Sequence, residues 1–396
     1  MFIHLFKMIW NKKRQNFLLM TEILVSFLVI FVVCTLIVLN YNNFHRPPGF
    51  EHENVWAISF TNSTKAATDT TIAGTAEDSQ SALFRESIRQ SLRATPEVRA
   101  ISFSTNNLPY SFVNNRYDIG YKNVKVSTNE YYVEDDYASV LNMKVLEGRW
   151  FTKSDDGSKN RPVVINQTLK EKLFGSEEAI GKVIDNEKIV GVIPDMKDKT
   201  DFQAREGAIY KRLDTSELHA LNDLVIRIDP NANSVIESRL YKTLANSMRN
   251  SNFEIRHLTD MKTKRDSVTL VPMIVLLVIA GFLIFNVALG LFGVLWYNIN
   301  QRRSEIGLRR AIGASASSVS RQLIAEATVL ASIALIVGTF FAIQFPLLGV
   351  FGVPTFTYVL SILLAIAFVY LLVIVCALYP GSQAAAIYPA IALYEE

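Results

Sequence analysis

One run in this 396-residue chain sets charge, glycine and small residues at helical spacing: RRSEIGLRRAIGAS, Arg302 to Ser315. Its chemistry is recognition of a partner rather than catalysis. In a helix Glu305 and Arg309 stand at i, i+4 in the favourable orientation for pairing. Arg302, Ile306 and Arg310 share a neighbouring face, with Arg303 nearby. Gly307 and Gly313 leave gaps where another backbone could approach closely, and Ser315 or Ser317 offers a cap for the helix that follows. A loop that only marks the cytoplasmic side of a membrane needs the arginines but not the glycine spacing. The ordered pattern therefore points to a docking element.

No competing chemistry appears elsewhere. His4, His45, His52, His219 and His257 form no HxxxH or HExxH arrangement, so no metal site is expected. There is no G-x-S-x-G elbow. Gly175 to Val183 (GSEEAIGKV) imitates a phosphate loop, but its glycines stand one residue too far apart and Val183 replaces the Ser/Thr that would ligate magnesium. It reads as a strand-linking turn. Glu134-Asp135-Asp136 and Asp155-Asp156 lack the alternation of a calcium loop and read as solvated faces. Cys34 and Cys376 fall in apolar runs and make neither a disulfide nor a metal spacing. No catalytic residue and no cofactor is expected. A net charge of +3, without interleaved basic and aromatic residues, gives no case for nucleic acid.

The elements that must hold this run are membrane spans. The chain is 50% hydrophobic and only 19% charged, and the apolar excess is concentrated. A span needs roughly 20 apolar residues, and four runs qualify: Phe17–Leu39, Val271–Leu295, Leu323–Phe345 and Phe356–Leu378. The expected architecture is a membrane protein of four transmembrane α-helices with a large α/β extracytoplasmic domain inserted between helices 1 and 2. Its parts are an amphipathic interfacial helix over residues 1–16, the first span over 17–39, the outer domain with its stalk over 41–268, spans two to four over 271–378 with the hairpin at 302–315, and a tail over 379–396. The first run is longer than a signal peptide's apolar core and lacks a small-x-small cleavage site, so it reads as a retained anchor. Lys7, Lys12, Lys13 and Arg14 precede the first span, and five arginines lie between spans two and three. Leu347 to Thr355 carries no basic residue. The positive-inside rule then places both termini and the hairpin in the cytoplasm and the large domain outside. Glu22, near the start of the first span, is expected to snorkel or pair with the basic cluster.

Within the outer domain, helices are expected at Leu83–Ala94, Val133–Val145, Gln167–Phe174 (stopped by Gly175) and Ser234–Met248. Strands are expected at Val98–Phe103, Pro162–Asn166 and Leu224–Ile228, with a hairpin over Ile184–Ile193 turned at Asp185-Asn186. Thr61–Ser81 reads as a loop. Phe253–Val268 leads into the second span as a stalk, with Pro272 marking a break or bend.

RRSEIGLRRAIGAS, followed by Arg321-Gln322-Leu323 and Glu326, resembles the signature of the FtsX/MacB-type permeases of ABC transporters. Tyr379-Pro380 through Ala385 and Pro389 to Leu393 resemble that family's closing segment. Asn129–Phe151 and Pro162–Gly191 resemble its extracytoplasmic core domain. The resemblance implies that the hairpin is the coupling helix, with Glu305, Gly307, Arg309, Arg310, Ala311, Gly313 and Ala314 docking on a separate cytoplasmic ABC ATPase subunit. It implies a second permease copy or paralogue as dimer partner and a periplasmic adaptor or cargo protein outside. It also implies a bacterial cytoplasmic (inner) membrane location. The function would be mechanotransmission serving export or extraction of peptide, lipoprotein or antibiotic cargo, the chain itself being no enzyme. The alternative is a non-transporting FtsX-like scaffold that regulates an extracytoplasmic enzyme.

Overall fold

A computed structural model of the chain describes residues 13–62, 75–105, 108–213, 223–247 and 251–385. Of the interfacial helix expected over 1–16, residues 1–12 lie outside these residues, as does the closing segment Pro389 to Leu393, and residues 13–16 instead begin the helix of the first span. The chain divides into two units, residues 43–270 and residues 1–42 with 271–396.

The elements of the first unit follow the first span, α1 (Lys13–Phe44). They are β1 (Val55–Asn62), α2 (Thr75–Arg93), β2 (Val98–Ser104), β3 (Arg116–Tyr121), β4 (Val124–Val133), α3 (Tyr137–Val140), β5 (Glu147–Gly148), β6 (Arg161–Asn166), α4 (Gln167–Phe174), β7 (Val183–Ile184), β8 (Glu187–Ile193), β9 (Ala208–Arg212), β10 (Asp223–Ile228), α5 (Ser234–Ser247) and β11 (Ser251–His257). They form a mixed sheet in the order β11-β1-β10-β2-β4-β9-β6-β8-β5, with β3 added to β4 and β7 to β8. Only β4/β9 and β6/β8 run parallel.

The strands obey a period of two, which sends alternate residues to opposite faces. Ile58, Phe60, Ile101, Phe103, Leu224 and Ile226 pack under Ile88 and Leu92 of α2 and Leu240 and Leu244 of α5. Val163, Ile165, Ile189 and Ile209 pack under Leu169 and Leu173 of α4. The opposite face carries Ala57, Val225, Val164 and a cluster with Tyr131, Tyr137 and Tyr210. Burying each large side chain is worth roughly 1.5–3 kcal/mol. Two lobes result, and their joint is narrow. β2 and β4 share one register pair, Ser104 with Val133, reinforced by the Phe103 amide donating to Glu134 Oε2 at 2.8 Å.

Asp198 sits wholly buried beside the stacked rings of Tyr131 and Tyr210. It accepts hydrogen bonds from the Tyr131 hydroxyl and, at 3.0 Å, from Gln203 Nε2. Burial still pushes its carboxyl above the usual range, outweighing the lowering by those donors. A raised folded pKa means the folded chain binds the proton more tightly. Its stabilising effect is full below the unfolded value, near about 3.9, and is lost as pH rises through the folded value. The variant Asp198→Asn keeps an acceptor for Gln203 and carries no charge. It is expected to melt at a higher temperature than the native chain at pH 7.5, with the gap closing as pH falls toward about 4. Tyrosine fluorescence melts across that pH range check this.

Two sequence expectations change here. Val133–Val145 is not a helix: β4 runs to Val133, α3 makes a single turn, and Asn142 with φ 49° turns the chain away. Tyr131, Val133, Tyr137 and Val140 are all buried, so the end of an inner strand and a turn satisfy the apolar residues that suggested a helix. In the expected loop Thr61–Ser81, residues 75–81 begin α2 and residues 63–74 lie outside those described. The hairpin at Asp185-Asn186 forms as expected, with φ 48° and 66° at its two turn residues.

The second unit holds the spans. Among the described residues four helices are long and apolar enough to cross a membrane: Met20–Phe44, Leu258–Gln301, Ser317–Leu347 and Thr355–Gln383. The second belongs to α6 (Leu258–Gln301), a 44-residue helix that contains Pro272 rather than ending at it. After it come α7 (Arg303–Ala311), α8 (Ala316–Ala342), α9 (Gln344–Leu347) and α10 (Thr355–Ala385). Ala327, Ala331 and Ala334 of α8 pack with Ala365, Val369 and Val373 of α10 and with Ile23, Phe27 and Phe31 of α1. Small residues let spans approach where lipid provides no hydrophobic drive. Glu22 of α1 rests on Gly290 of α6, where an added Cβ would stand 1.9 Å from its Oε1.

Candidate docking site in the hairpin after the second span

Helix α7 is tied to its own spans by a chain of polar contacts. Arg302, at its N-cap, donates to Glu326 Oε2 at 2.9 Å. Glu326 Oε1 accepts from Gln322 Nε2 at 3.1 Å, and Gln322 Oε1 accepts from Arg309 at 2.9 Å. Arg309 also donates to Glu305 at 2.5 Å, the i, i+4 pair that the spacing predicts. Beneath this chain Ile306 packs with Ile299 and Val319, with Leu323 against them.

The end of α7 is set by glycine. Gly313 has φ 102°, its amide bonds to Arg310 O at 3.2 Å and the next amide, Ala314, bonds to Arg309 O at 3.0 Å. That pair of bonds is a Schellman termination, which favours glycine because a left-handed residue with a Cβ is strained. Arg310 donates to Ala314 O at 3.3 Å and holds the turn closed. Ser315 then caps α8, its Oγ accepting from the Ser318 amide at 3.3 Å.

The structure sorts the predicted residues into two sets. Arg302, Ile306, Gly307, Arg309 and Arg310 are buried or half-buried within the hairpin, so the face of Arg302, Ile306 and Arg310 turns inward. Glu305, Ala311 and Gly313 are exposed, and Ala314 is half-buried. Sequence reasoning passed over Leu308 and Ile312, which are 54% and 79% exposed while Ile306 is 6% exposed. They share a face with Glu305 at i, i+3, i+7. The signal was present: Ile306 and the Leu308/Ile312 pair lie on different sides of one short helix, and only one side can face the protein.

The decoys dissolve into structure. Gly175 to Lys182 joins α4 to β7, and Lys182 pairs with Glu177 at 2.6 Å instead of awaiting a phosphate. Glu134 pairs with Arg89 at 2.7 Å and Asp135 with Arg212 at 2.6 Å. Asp155 pairs with Arg149 at 2.6 Å, which holds its carboxyl down at about 2. Among the described residues no group of three or more His, Cys, Asp or Glu could hold a metal ion.

Comparison with known proteins matches both units. The MacB-like periplasmic core domain family matches residues 23–237, more than half of the chain. The FtsX-like permease C-terminal family matches residues 277–389. A macrolide export ATP-binding/permease protein MacB of Neisseria gonorrhoeae is 26% identical over 229 residues, 55% of this chain and 35% of that protein. The protein of the same description from Chlorobium phaeobacteroides is 26% identical over 300 residues, 72% of this chain and 46% of that protein. The chain thus spans less than half the length of these relatives. The periplasmic region of MacB from Actinobacillus actinomycetemcomitans aligns with 16% identity and a TM-score of 0.37, covering 56% of this chain and 97% of that structure. With the core-domain match ahead of an FtsX-like set of apolar helices, the chain is a multi-pass bacterial membrane protein of the MacB/FtsX-type ABC transporter permease family.

Proposed function

We propose that the chain is the permease subunit of a MacB-like ABC transporter and receives force from a separate cytoplasmic ATPase through α7. The observation that carries this reading is the division of the hairpin: Arg302, Arg309 and Arg310 are spent on internal ties, while Glu305, Leu308 and Ile312 present a charged and apolar face on a rigid helix. Docking that face removes two large aliphatic side chains from water, worth roughly 1.5–3 kcal/mol each if fully buried. Because α7 is clamped to the ends of α6 and α8, a push on it is delivered to two spans rather than absorbed by a loose loop. Helix α6 continues for 44 residues, which suits relay of that push to the outer domain.

The basic residues before α1 and in the hairpin favour cytoplasmic termini and a cytoplasmic hairpin. Two such subunits with two ATPases would move the outer domains, which act on peptide, lipoprotein or antibiotic cargo or on an adaptor. Purification of the detergent-solubilised chain from its own membranes tests the reading. An ABC ATPase subunit is expected to co-purify, and its hydrolysis is expected to rise when the chain is added back to it. Retention of no ATPase, together with no stimulation, overturns it.

A further inference from the structure

Strand β11 ends the sheet. It pairs with β1 over seven residues, Trp56 with His257 through Asn62 with Ser251, and has no strand on its other side among the described residues. A cavity of about 580 Å³ runs beside it, lined by Glu254, Ile255, Arg256 and His257 in succession. Successive residues of a strand point to opposite faces. A single cavity lined by four in a row therefore lies along the strand's free edge, not over one face of the sheet. Walls rise on both sides: Glu237 of α5, and Phe112 with Met261 at the start of α6.

The cavity asks for polar partners. Tyr110, 1% exposed, lines it, and its hydroxyl has no hydrogen-bond partner among the described residues. Arg256 Nε likewise makes no hydrogen bond, although it lies 3.7 Å from Glu254 Oε2, a loose pair that a strand bringing an acid to Arg256 and a base to Glu254 would exchange for closer ones. A free strand edge adds unpaired amides and carbonyls at two-residue spacing, which is the template that extended peptides use when they add to a sheet.

We propose that the free edge of β11 is a docking site for an extended polypeptide segment of a partner protein, which adds as an antiparallel strand and carries an acidic residue two positions before a basic one. The charge pattern follows from register. Glu254 and Arg256 stand on one face with Ile255 between them, so an antiparallel strand centred on Ile255 places its earlier residue opposite Arg256 and its later residue opposite Glu254. Glu237 on one side and Phe112 with Met261 on the other flank the edge, which favours a single extended segment over the sheet edge of a second copy. The site belongs to residues 43–270 and the hairpin to the other unit, so the test below reads this edge with no ATPase present.

The test uses the full chain in lipid nanodiscs and two fluorescein-labelled heptapeptides, Thr-Val-Glu-Val-Arg-Val-Thr and its charge-exchanged counterpart Thr-Val-Arg-Val-Glu-Val-Thr. Fluorescence anisotropy is expected to show the first binding at least about tenfold tighter. In the double variant Glu254→Arg/Arg256→Glu the preference is expected to reverse, a gain of binding that a misfolded chain would not give. Combined N-methylation of the central valine and of the residue before it, which removes one amide from each side of the added strand, is expected to abolish binding. Equal affinity for the two peptides, binding of neither, an unreversed preference or indifference to N-methylation overturns the proposal. A copy-to-copy disulfide formed by Ile255→Cys, in a chain with Cys34 and Cys376 replaced by serine, would assign the edge to a second copy and overturn it too.

Discussion

Reversing Arg309 and Arg310 to glutamate is expected to uncouple the chain from ATP hydrolysis, with stimulated turnover falling about 100-fold or more. A carboxylate at position 309 would face Glu305 where a 2.5 Å ion pair now stands, and Gln322 would lose its donor at 2.9 Å. A carboxylate at position 310 would repel the Ala314 carbonyl that the arginine now holds at 3.3 Å. The half-exposed i, i+4 pair alone is worth only about 0.3–0.5 kcal/mol, so a 100-fold loss, about 2.7 kcal/mol, follows from α7 leaving its seat on α8 altogether. The pair Leu308→Asp and Ile312→Asp provides the comparison. It leaves the polar chain from Glu305 to Arg302 intact and spoils only the exposed apolar face. A loss of ATPase co-purification in both double variants is the result expected of a docking surface. Normal co-purification and normal stimulation after the arginine reversal would show the coupling assignment to be wrong.

The largest effect on stability is expected at Gly148→Ala, a loss of about 3–5 kcal/mol. Gly148 has φ 71°, where a residue with a Cβ is strained by roughly 1–2 kcal/mol. The added Cβ would stand 2.3 Å from Val190 O and 2.9 Å from Ile180 Cδ1. Its register partner is Gly191, where a Cβ would meet Arg149 O at 2.2 Å, so neither backbone can yield. Relief requires β5 to leave β8 and give up the Arg149 amide bond to Val190 O at 2.9 Å and the Leu146 amide bond to Val192 O at 2.8 Å, each worth about 1 kcal/mol. Gly157→Ala is the control, since Gly157 shares a positive φ of 77° but has nothing within 4 Å of the added atom. Denaturant unfolding should rank Gly148→Ala well below it. Equal midpoints would remove the close backbone approach from the account of this edge.

What could be read from the chain, and what could not, divides by the kind of signal. The four spans were legible because apolar length is a local property, and so were α4 with its Gly175 stop and the turn at Asp185-Asn186, where each residue type answers a nearby backbone need. The Glu305–Arg309 pair was legible for the same reason. Strands β1, β9 and β11 escaped because they are defined by partners far along the chain: β11 is a strand only by lying against Trp56 to Asn62. The one-turn α3 was overestimated because apolar residues at the end of an inner strand and in a turn imitate a helical stripe. At the hairpin, spacing identified the helix but not which side faces inward. That depends on Val319 and Leu323 of the next span, and so Leu308 and Ile312 were overlooked.

The single register pair between Ser104 and Val133 has a consequence for the order in which the chain can fold. Everything from β3 to β9 lies on one side of that seam and is continuous in sequence, from Arg116 to Arg212. The other side is assembled from pieces that flank it: β1 and β2 come before, β10 and β11 after. The lobe from β3 to β9 can therefore close on itself as it emerges, while β1 and β2 wait for strands more than a hundred residues downstream. Until β10 arrives between them, both edges of β1 and the β10-facing edge of β2 stay open. A chaperone guarding this protein during export of its outer domain would have that interval to cover, and little reason to attend to the rest.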